Sequence, residues 1–239
     1  MYVYIYDEFT NQAKYKKLLY KIERRLTDLN LNGETIRLGA LKDLKTAIED
    51  KIKRGAKTIV AVGDGQTVNR IMNIIVDKSR EKKYLTLGII SLDEKINFVA
   101  NSLGIKNIED ACDILLARRV ETFKLAQINQ GYFLFKVNIN SPNTVLEIDR
   151  DYAIKNTDMA NIEILSTLNL KDLPDTEKRK LKLTIRNKDG QSAFPFNELL
   201  VVNRDIPIII DDSFKIDGPA RIKPSQEEIK IIVGKERQI

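Results

Sequence analysis

Apolar and polar residues are arranged in alternating blocks along the first half of the chain. Four short apolar or β-branched runs, at residues 2–6, 35–38, 58–62 and 86–90, are separated by stretches with helical periodicity. The third run, TIVAV, has no polar residue after Thr58, which is typical of a strand buried on both faces of a sheet. Strands that alternate with helices through short connections predict one parallel sheet covered by helices.

The helices are predicted from the spacing of their apolar residues. The predicted segments are residues 11–29, a stretch marked by Leu41 and Ile52, and residues 67–77, 97–103 and 108–117. Cys112 falls on an apolar helical face, so we expect it in the core rather than at a reactive site.

The pattern changes after Arg119. Alternating or short β-rich runs now dominate, and the NKDGQ stretch at residues 187–191 predicts a hairpin turn. We therefore predict an α/β fold, with an N-terminal parallel-sheet α/β domain at residues 1–120. A β-rich, mostly antiparallel domain follows at residues 121–239.

Composition excludes several kinds of active site. The chain of 239 residues has no histidine and one cysteine, which rules out a Ser-His-Asp or Cys-His nucleophile, a His-ligated metal and an internal disulfide. The N-terminus resembles a strand rather than a signal peptide, and no apolar run approaches 18 residues. We accordingly expect a cytoplasmic protein without a bound structural metal.

Basic residues exceed acidic ones by 40 to 34, a net charge of +6. The densest basic stretch, AKYKKLLYKIERR, carries Lys14, Lys16, Lys17, Arg24 and Arg25. We expect a solvated helix face that associates at most weakly, and in a salt-sensitive way, with a lipid at an anionic membrane surface.

Basic and aromatic residues do not interleave as they do in single-strand nucleic-acid grooves, so nucleic acid is not expected as a partner. The sequence says little about oligomeric state.

The VGDGQT stretch, which follows the third strand, is the main candidate for chemistry. Glycines allow the backbone to come close to a phosphate, and the following helix offers free N–H groups. In α/β sheets, ligands bind at the carboxyl ends of the strands, where this loop lies. An ordinary strand-to-helix turn is the alternative explanation.

Two loops together resemble the diacylglycerol kinase catalytic domain family, to which sphingosine kinases and, distantly, NAD kinases are related. That family has G-G-D-G-T before a helix and P-L-G-T-G-N-D-F-A-R-S-L-G-I after the next strand. IVAVGDGQTVNRIMN matches the first motif, INFVANSLGI matches the end of the second, and FKIDGP is similar to a later D-G-E. The resemblance implies an ATP- and Mg²⁺-dependent lipid kinase, with Asp217 as catalytic base and a phosphate site lined by Gly63, Asp64, Gly65, Thr67 and Asn97.

The chain departs from the family motifs where they would hold phosphate. In a gapless register Asp64 replaces the second glycine, Gly65 the aspartate and Gln66 the next glycine; a shifted register keeps G-D-G and inserts Gln66. Asp93-Glu94-Lys95 stands in place of G-T-G, and Pro219 in place of the D-G-E glutamate. We expect a Cβ at Gln66 to be strained by φ > 0 and to hinder phosphate approach.

Three functions therefore stay open. The chain is a divergent lipid kinase that transfers the ATP γ-phosphate to a lipid hydroxyl, a catalytically silent relative that binds a nucleotide, lipid or protein partner, or a scaffold. A silent relative would need no cofactor. Asp93 and Glu94 are expected to cap a helix rather than to bind a ligand. Asp211 and Asp212 are expected in a solvated turn, with a metal site as the alternative.

Overall fold

A computed structural model gives the fold, and it describes residues 1–39, 43–79, 85–92, 97–156, 159–169, 180–188 and 190–237. The chain forms two compact units. The first comprises Met1–Thr122 and Ile229–Gln238, and the second comprises Phe123–Glu228.

The first unit contains the predicted parallel sheet. Its strands are β1 (Tyr2–Tyr6), β2 (Gly33–Arg37), β3 (Thr58–Gly63) and β4 (Thr86–Ser91). They lie in the order β2-β1-β3-β4, and every pair is parallel. All six residues of β3 are buried, as its apolar sequence predicted. The prediction of one parallel sheet from these four runs is confirmed.

Among the described residues, three α-helices connect these strands and two more follow the last of them. They are α1 (Lys16–Asp28), α2 (Leu44–Lys53), α3 (Gly65–Ser79), α4 (Phe98–Ser102) and α5 (Ile108–Ala117). The first helix begins later than predicted, because residues 8–15 form two short 3₁₀ turns at Glu8–Asn11 and Ala13–Tyr15. Asp or Asn side chains start several helices: Asp43 accepts from the Thr46 amide, and Asn107 from the Asp110 amide. Leu41, expected at the start of the second helix, lies outside the described residues.

The second unit is built from antiparallel strands, as predicted. The first and the last of its strands also reach into the first unit. The strands are β5 (Val120–Ile128), β6 (Gly131–Phe133), β7 (Lys136–Asn140), β8 (Thr144–Ile148), β9 (Tyr152–Asn156), β10 (Asn161–Ser166), β11 (Leu181–Asn187), β12 (Gly190–Phe196), β13 (Leu199–Val201), β14 (Pro207–Ile210), β15 (Phe214–Asp217) and β16 (Ala220–Ile232). Six of them form a sheet in the order β12-β11-β10-β7-β14-β15. Asn187 pairs with Gly190 between β11 and β12, which confirms the hairpin, although Asp189 lies outside the described residues.

The core of the second unit is formed by residues from two sets of strands. Val137, Ile162 and Leu183 come from the six-stranded sheet, whereas Leu146 and Ile222 come from β8 and β16. Along β7, for example, the buried residues Val137 and Ile139 alternate with residues that are half-buried or exposed. Burial of this apolar set is the main stabilising term for the unit.

The last strand, β16, contributes to both units. Its first residues pair antiparallel with β13, and Lys230 and Ile231 pair in parallel with Thr86 and Leu87 of β4. The sequence assigned everything after residue 120 to the β-rich domain, whereas the structure groups residues from Ile229 on with the first unit. Ile229, Ile231 and Ile232 are buried there, and a short apolar run by itself does not indicate which sheet it joins.

Asp211 lies in the turn between β14 and β15 and is 1% exposed. Its carboxylate accepts three backbone N–H bonds, from Leu134, Phe135 and Lys136, each at 2.9 Å. Burial raises the pKa of Asp211 to about 6, and the three hydrogen bonds oppose that rise. The expected solvated turn is therefore wrong for Asp211, which holds the start of β7. Asp212 is exposed and pairs with Lys136 at 2.7 Å.

The two neighbouring aspartates give a matched test of this anchor. Both residues have positive φ, which asparagine tolerates, so Asp→Asn preserves the turn. Asp211→Asn replaces one acceptor oxygen by an NH₂ group, and we expect it to lower the free energy of unfolding by about 2 kcal/mol because one buried N–H loses its acceptor. Asp212→Asn removes a partly exposed ion pair with Lys136 but keeps the oxygen that accepts from Asn138 Nδ2, and it should cost less than about 1 kcal/mol. Urea unfolding measures both values, and equal losses would contradict the anchoring role.

Candidate functional site

The carboxyl ends of β1, β3 and β4 meet at one edge of the parallel sheet. Tyr6 is in register with Val62, and Gly63 with Ser91. The chain continues this alignment for one residue, because the Asp7 amide donates to the Val62 carbonyl at 3.1 Å and the Leu92 amide to the Gly63 carbonyl at 2.9 Å. Residues that follow these strands are therefore close together, as expected for a ligand site in an α/β sheet.

Asp64 is the cap of helix α3. Its Oδ1 accepts the Thr67 backbone N–H at 2.9 Å, and its carbonyl accepts the Val68 N–H at 3.1 Å. Gly65 is already the first helical residue. The carboxylate of Asp64 thus lies at the N-terminus of α3, the place where a helix would bind an anion.

Gln66 does not have the strained backbone that the sequence suggested. It lies in the first turn of α3 with its side chain exposed, and none of residues 63–67 has positive φ. The expectation of a φ > 0 position was wrong, because the helix begins at Gly65 and not after Gln66. The departure of Gln66 from the family motif therefore costs no backbone strain here.

The Thr67 hydroxyl contacts two carboxylates. Its Oγ1 lies 2.7 Å from Asp7 Oδ2 and 2.8 Å from Asp64 Oδ1. A hydroxyl has one proton, and the Thr67 N–H already donates to Asp64, so the hydroxyl proton is available for Asp7. Thr67 is 1% exposed, and through it the end of β1 is joined to the start of α3.

Thr67 also explains why residue 63 is glycine. A Cβ at Gly63 would lie 2.5 Å from Thr67 Oγ1, 2.8 Å from its Cβ and 2.9 Å from its Cγ2. The space that the sequence suggested for a phosphate is therefore filled by a side chain of the same loop.

Arg70 lies one turn along α3 from Thr67. Among the ion pairs of the described residues, it is the cation nearest to the carboxylates of Asp7 and Asp64. Its Nη1 lies 3.9 Å from Asp7 Oδ2, and its side chain is half exposed. Such a pair at the solvent boundary contributes little to stability. Because two carboxylates face one guanidinium, the site keeps a net negative charge. Asp7 and Arg70 were both missed in the sequence. Asp7 directly follows the first apolar strand, and the rule that identified Gly63 would have identified it too.

Asn97, the other predicted phosphate-site residue in this unit, caps α4. Its Oδ1 accepts the Ala100 N–H at 3.1 Å, and the residue is 8% exposed. Asp93 and Glu94, expected to cap a helix, lie outside the described residues, as does Lys95. Gly63, Asp64, Gly65, Thr67 and Asn97 thus all lie at the carboxyl edge of the sheet or in helices that pack against it.

Asp217 belongs to the second unit, at the exposed end of β15, where it is paired with Pro207 of β14. Gly218 follows it, and its amide donates to the Ile206 carbonyl at 3.0 Å.

In the described part of the chain, no group of three or more His, Cys, Asp or Glu side chains is placed to hold a metal ion by itself. Cys112 is fully buried, as predicted, and burial raises the pKa of its thiol to about 11. In the same residues, no helix is both long and apolar enough to span a bilayer.

The contact between Gly63 and Thr67 can be tested by stability. Gly63→Ala places a methyl group against the Thr67 side chain, and we expect it to lower the free energy of unfolding by about 1–3 kcal/mol. Gly39→Ala is the control, because a Cβ there meets nothing within 4 Å, and it should be neutral or stabilising by less than about 1 kcal/mol. Chemical denaturation measures both, and a neutral Gly63→Ala would show that Thr67 moves away freely.

Comparison with known proteins agrees with this architecture. The profile of the diacylglycerol kinase catalytic domain matches residues 1–128. A crystal structure of a diacylglycerol kinase from Bacillus anthracis str. Sterne has a TM-score of 0.72 and 16% identity, covering 98% of this chain and 97% of that one. Another structure from that strain, described provisionally as a diacylglycerol kinase, has a TM-score of 0.70, 14% identity and the same coverage. At these identities the structures show a shared fold.

No curated protein matches in sequence. Because the profile match spans more than half of the sequence, the chain belongs to the diacylglycerol kinase catalytic domain family.

Proposed function

We propose that this chain is a nucleotide-binding member of the diacylglycerol kinase family in which phosphoryl transfer to a lipid is absent or slow. The observation that carries the proposal is the position of Asp64. Its carboxylate caps α3, where in the gapless register the family motif has a glycine and where a nucleotide phosphate would approach the helix N-terminus.

The charge of the site favours a nucleotide only together with a cation. Asp7 and Asp64 both present oxygens to the Thr67 hydroxyl, and Arg70 compensates them only partly. A carboxylate and a phosphate oxygen that each carry a unit charge repel by about 4 kcal/mol when they lie 4 Å apart at an effective dielectric constant of 20. Free ATP, which is strongly anionic, is therefore expected to bind poorly.

The residues present fit a nucleotide accompanied by Mg²⁺. Magnesium prefers oxygen ligands and is commonly held by one or two carboxylates together with substrate phosphates, and Asp7 and Asp64 offer such carboxylates. The amides of Gly65 and Gln66, in the first turn of α3, are ones that the helix leaves without intrahelical acceptors. ATP would supply the phosphoryl group, and Mg²⁺ would neutralise phosphate charge.

Slow or absent transfer follows from how such reactions are catalysed. Phosphoryl transfer depends on positioning and on electrostatic stabilisation of the phosphate oxygens. In this loop the glycine space is filled by Thr67 and the helix N-terminus is capped by Asp64. Both features reduce the contact between loop backbone and phosphate.

An active lipid kinase is the second candidate, and one observation favours it. Asp217 is exposed at the end of β15, so its carboxylate is accessible to act as the base that the family resemblance implies. A scaffold without any ligand is the third, and it would leave the arrangement of Asp7, Thr67 and Asp64 without a function.

The charge argument predicts how Mg²⁺ and Asp64 control ATP binding. In the wild type, Mg²⁺ should raise ATP affinity at least tenfold. In Asp64→Asn the gain should fall toward one, because asparagine keeps the helix cap while removing the charge. Asp77→Asn, at the other end of α3 and exposed, removes the same charge and should leave the gain unchanged. Isothermal titration calorimetry with and without Mg²⁺ measures all three proteins.

Two further measurements separate the alternatives. The variant Asp64→Gly, Gly65→Asp, Gln66→Gly restores the family turn and should bind ATP more tightly than the wild type. Turnover of diacylglycerol by the wild type, abolished in Asp217→Asn, would contradict slow transfer and support the kinase. If no nucleotide binds to either protein at millimolar concentration, a scaffold and a silent relative that binds a lipid or protein partner are the remaining functions.

A membrane partner is proposed for helix α1. Lys16, Lys17, Lys21 and Arg24 are exposed on it, around a Tyr20 side chain that is 65% exposed. Arg25, which the sequence placed in the same basic surface, pairs with Asp113 at 2.7 Å and is partly neutralised. Tyrosine and lysine are suited to a membrane interface, and the cations match an anionic lipid surface.

Matched neutralisations test this surface. Replacing Lys17, Lys21 and Arg24 by Gln should reduce binding to phosphatidylglycerol vesicles by about 10- to 100-fold, since each cation contributes about 1 kcal/mol near an anionic surface. Replacing Lys53, Arg54 and Lys57 by Gln changes the net charge equally in another exposed region and should have little effect. Vesicle sedimentation at rising salt measures both; binding by the wild type that survives 1 M salt would contradict an electrostatic surface.

A further inference from the structure

A cavity of about 470 Å³ lies between helix α5 and the segment that follows β16. One wall is a face of α5, because Asp110, Asp113, Ile114 and Ala117 recur at the spacing of a single helical face. The other wall includes residues 233–236. All the lining residues belong to the first unit, and none of them belongs to the candidate site. The volume is in the range of small-molecule pockets.

Backbone contacts hold the second wall in place. The Val233 amide donates to the Arg119 carbonyl at 2.9 Å. The Gly234 amide donates to the Leu103 carbonyl, also at 2.9 Å. Gly234 packs so closely on Gly104 that a Cβ at residue 234 would clash with the Gly104 oxygen. The cavity is therefore built into the fold, and a ligand would not have to order this segment on binding.

Two of the three carboxylates that line the cavity are neutralised by ion pairs. Glu236 pairs with Lys106 at 2.6 Å, and Asp113 pairs with Arg25 at 2.7 Å. The third carboxylate, of Asp110, accepts from an asparagine NH₂ group at 2.8 Å, which is a neutral partner. One negative charge therefore stays uncompensated on this side of the cavity.

Two cations of the cavity have no such partner. Arg119 and Lys235 are exposed and form no ion pair within the described part of the chain. Two unpaired cations against the one carboxylate of Asp110 leave the cavity with an excess of one positive charge. The charge of Arg119 also reaches Arg237, which is paired with Glu121. Burial lowers the pKa of the Arg237 guanidinium, and the repulsion from Arg119 lowers it further.

We propose that this cavity binds a small organic carboxylate with an apolar body. The guanidinium of Arg119 and the ammonium of Lys235 bind the carboxylate oxygens through charge-assisted hydrogen bonds. The side chains of Ile114, Ala117 and Val233, which line the cavity, contact the apolar body. This inference goes beyond the proposed function and does not depend on it.

Charge and length determine the class of ligand. A single negative charge matches the excess charge of the cavity, whereas the second charge of a phosphate group would be repelled by Asp110. The face of α5 from Asp110 to Ala117 is about 10 Å long, at 1.5 Å per residue. A carboxylate that carries a short, unbranched apolar chain fits both requirements.

Octanoate is the probe, because it joins one carboxylate to such a chain. We expect the wild type to bind it at millimolar concentration, and Arg119→Gln and Lys235→Gln each to weaken binding about tenfold, because each removes a charged donor. Arg118→Gln removes the same charge one residue away, from a side chain that lies over the Tyr2 ring, and should leave the affinity unchanged. Isothermal titration calorimetry measures all four proteins.

A steric variant locates the ligand in the cavity. Ala117 is exposed, so Ala117→Phe fills the space without overpacking the core. We expect this variant to lose octanoate binding and to keep the melting temperature of the free wild type. Leu116→Phe is the control, because Leu116 is 52% exposed and does not line the cavity, and it should bind octanoate as the wild type does.

Ligands with the same chain and a different head group test the chemistry. Octyl phosphate should bind more weakly than octanoate, and octylammonium should not bind. Tighter binding of octyl phosphate that is lost in Arg119→Gln would identify the anion as a phosphate and overturn the carboxylate assignment. Equal binding of octanoate by the wild type, Arg119→Gln and Ala117→Phe would overturn the site, and so would a wild type that binds no octanoate at millimolar concentration.

Discussion

The candidate site depends on one hydroxyl, that of Thr67. It lies within hydrogen-bonding distance of Asp7 and Asp64, and it joins the end of β1 to the first turn of α3. Gly63 is needed because Thr67 lies against it, and Asp64 is held in place because it also accepts the Thr67 amide. The space in the loop is thus filled by its own side chains. The two carboxylates beside the Thr67 hydroxyl determine the charge that a ligand would meet there.

Much of the fold could be predicted from the sequence, because it depends on apolar periodicity. The runs at residues 2–6 and 58–62 became neighbouring parallel strands, and the break after Arg119 falls close to the boundary between the two units. What the periodicity could not give was the partner of an apolar run: Ile231 pairs with Leu87 although 144 residues separate them in the chain. Strand pairing at that distance depends on the whole topology, which a local pattern does not contain.

The site was harder to predict than the fold, because its geometry depends on polar contacts over a few ångströms. The position of Gly63 and Thr67 in a strand-to-helix turn followed from the motif. The helical backbone of Gln66 did not, since it depends on Asp64 capping the helix one residue earlier than the family motif suggests. Asp7 was missed because its contact with Thr67 spans 60 residues. Asp211, adjacent to another aspartate in a turn, is buried only because three amides at the start of β7 point toward it.

The fold and the candidate site of this chain therefore depend on different kinds of residue. The fold is kept at 14–16% identity to solved diacylglycerol kinases, which requires only that buried positions stay apolar and of suitable volume. The chemistry at the sheet edge requires particular charges at particular atoms, and in the gapless register the carboxylate of Asp64 stands where the family has a glycine. A shared fold places the carboxyl edge of the sheet, while any ligand there must be argued from the side chains that this chain has at that edge. Those side chains are two carboxylates, of Asp7 and Asp64, within hydrogen-bonding distance of the Thr67 hydroxyl, and their charge acts against an anion that arrives without a cation.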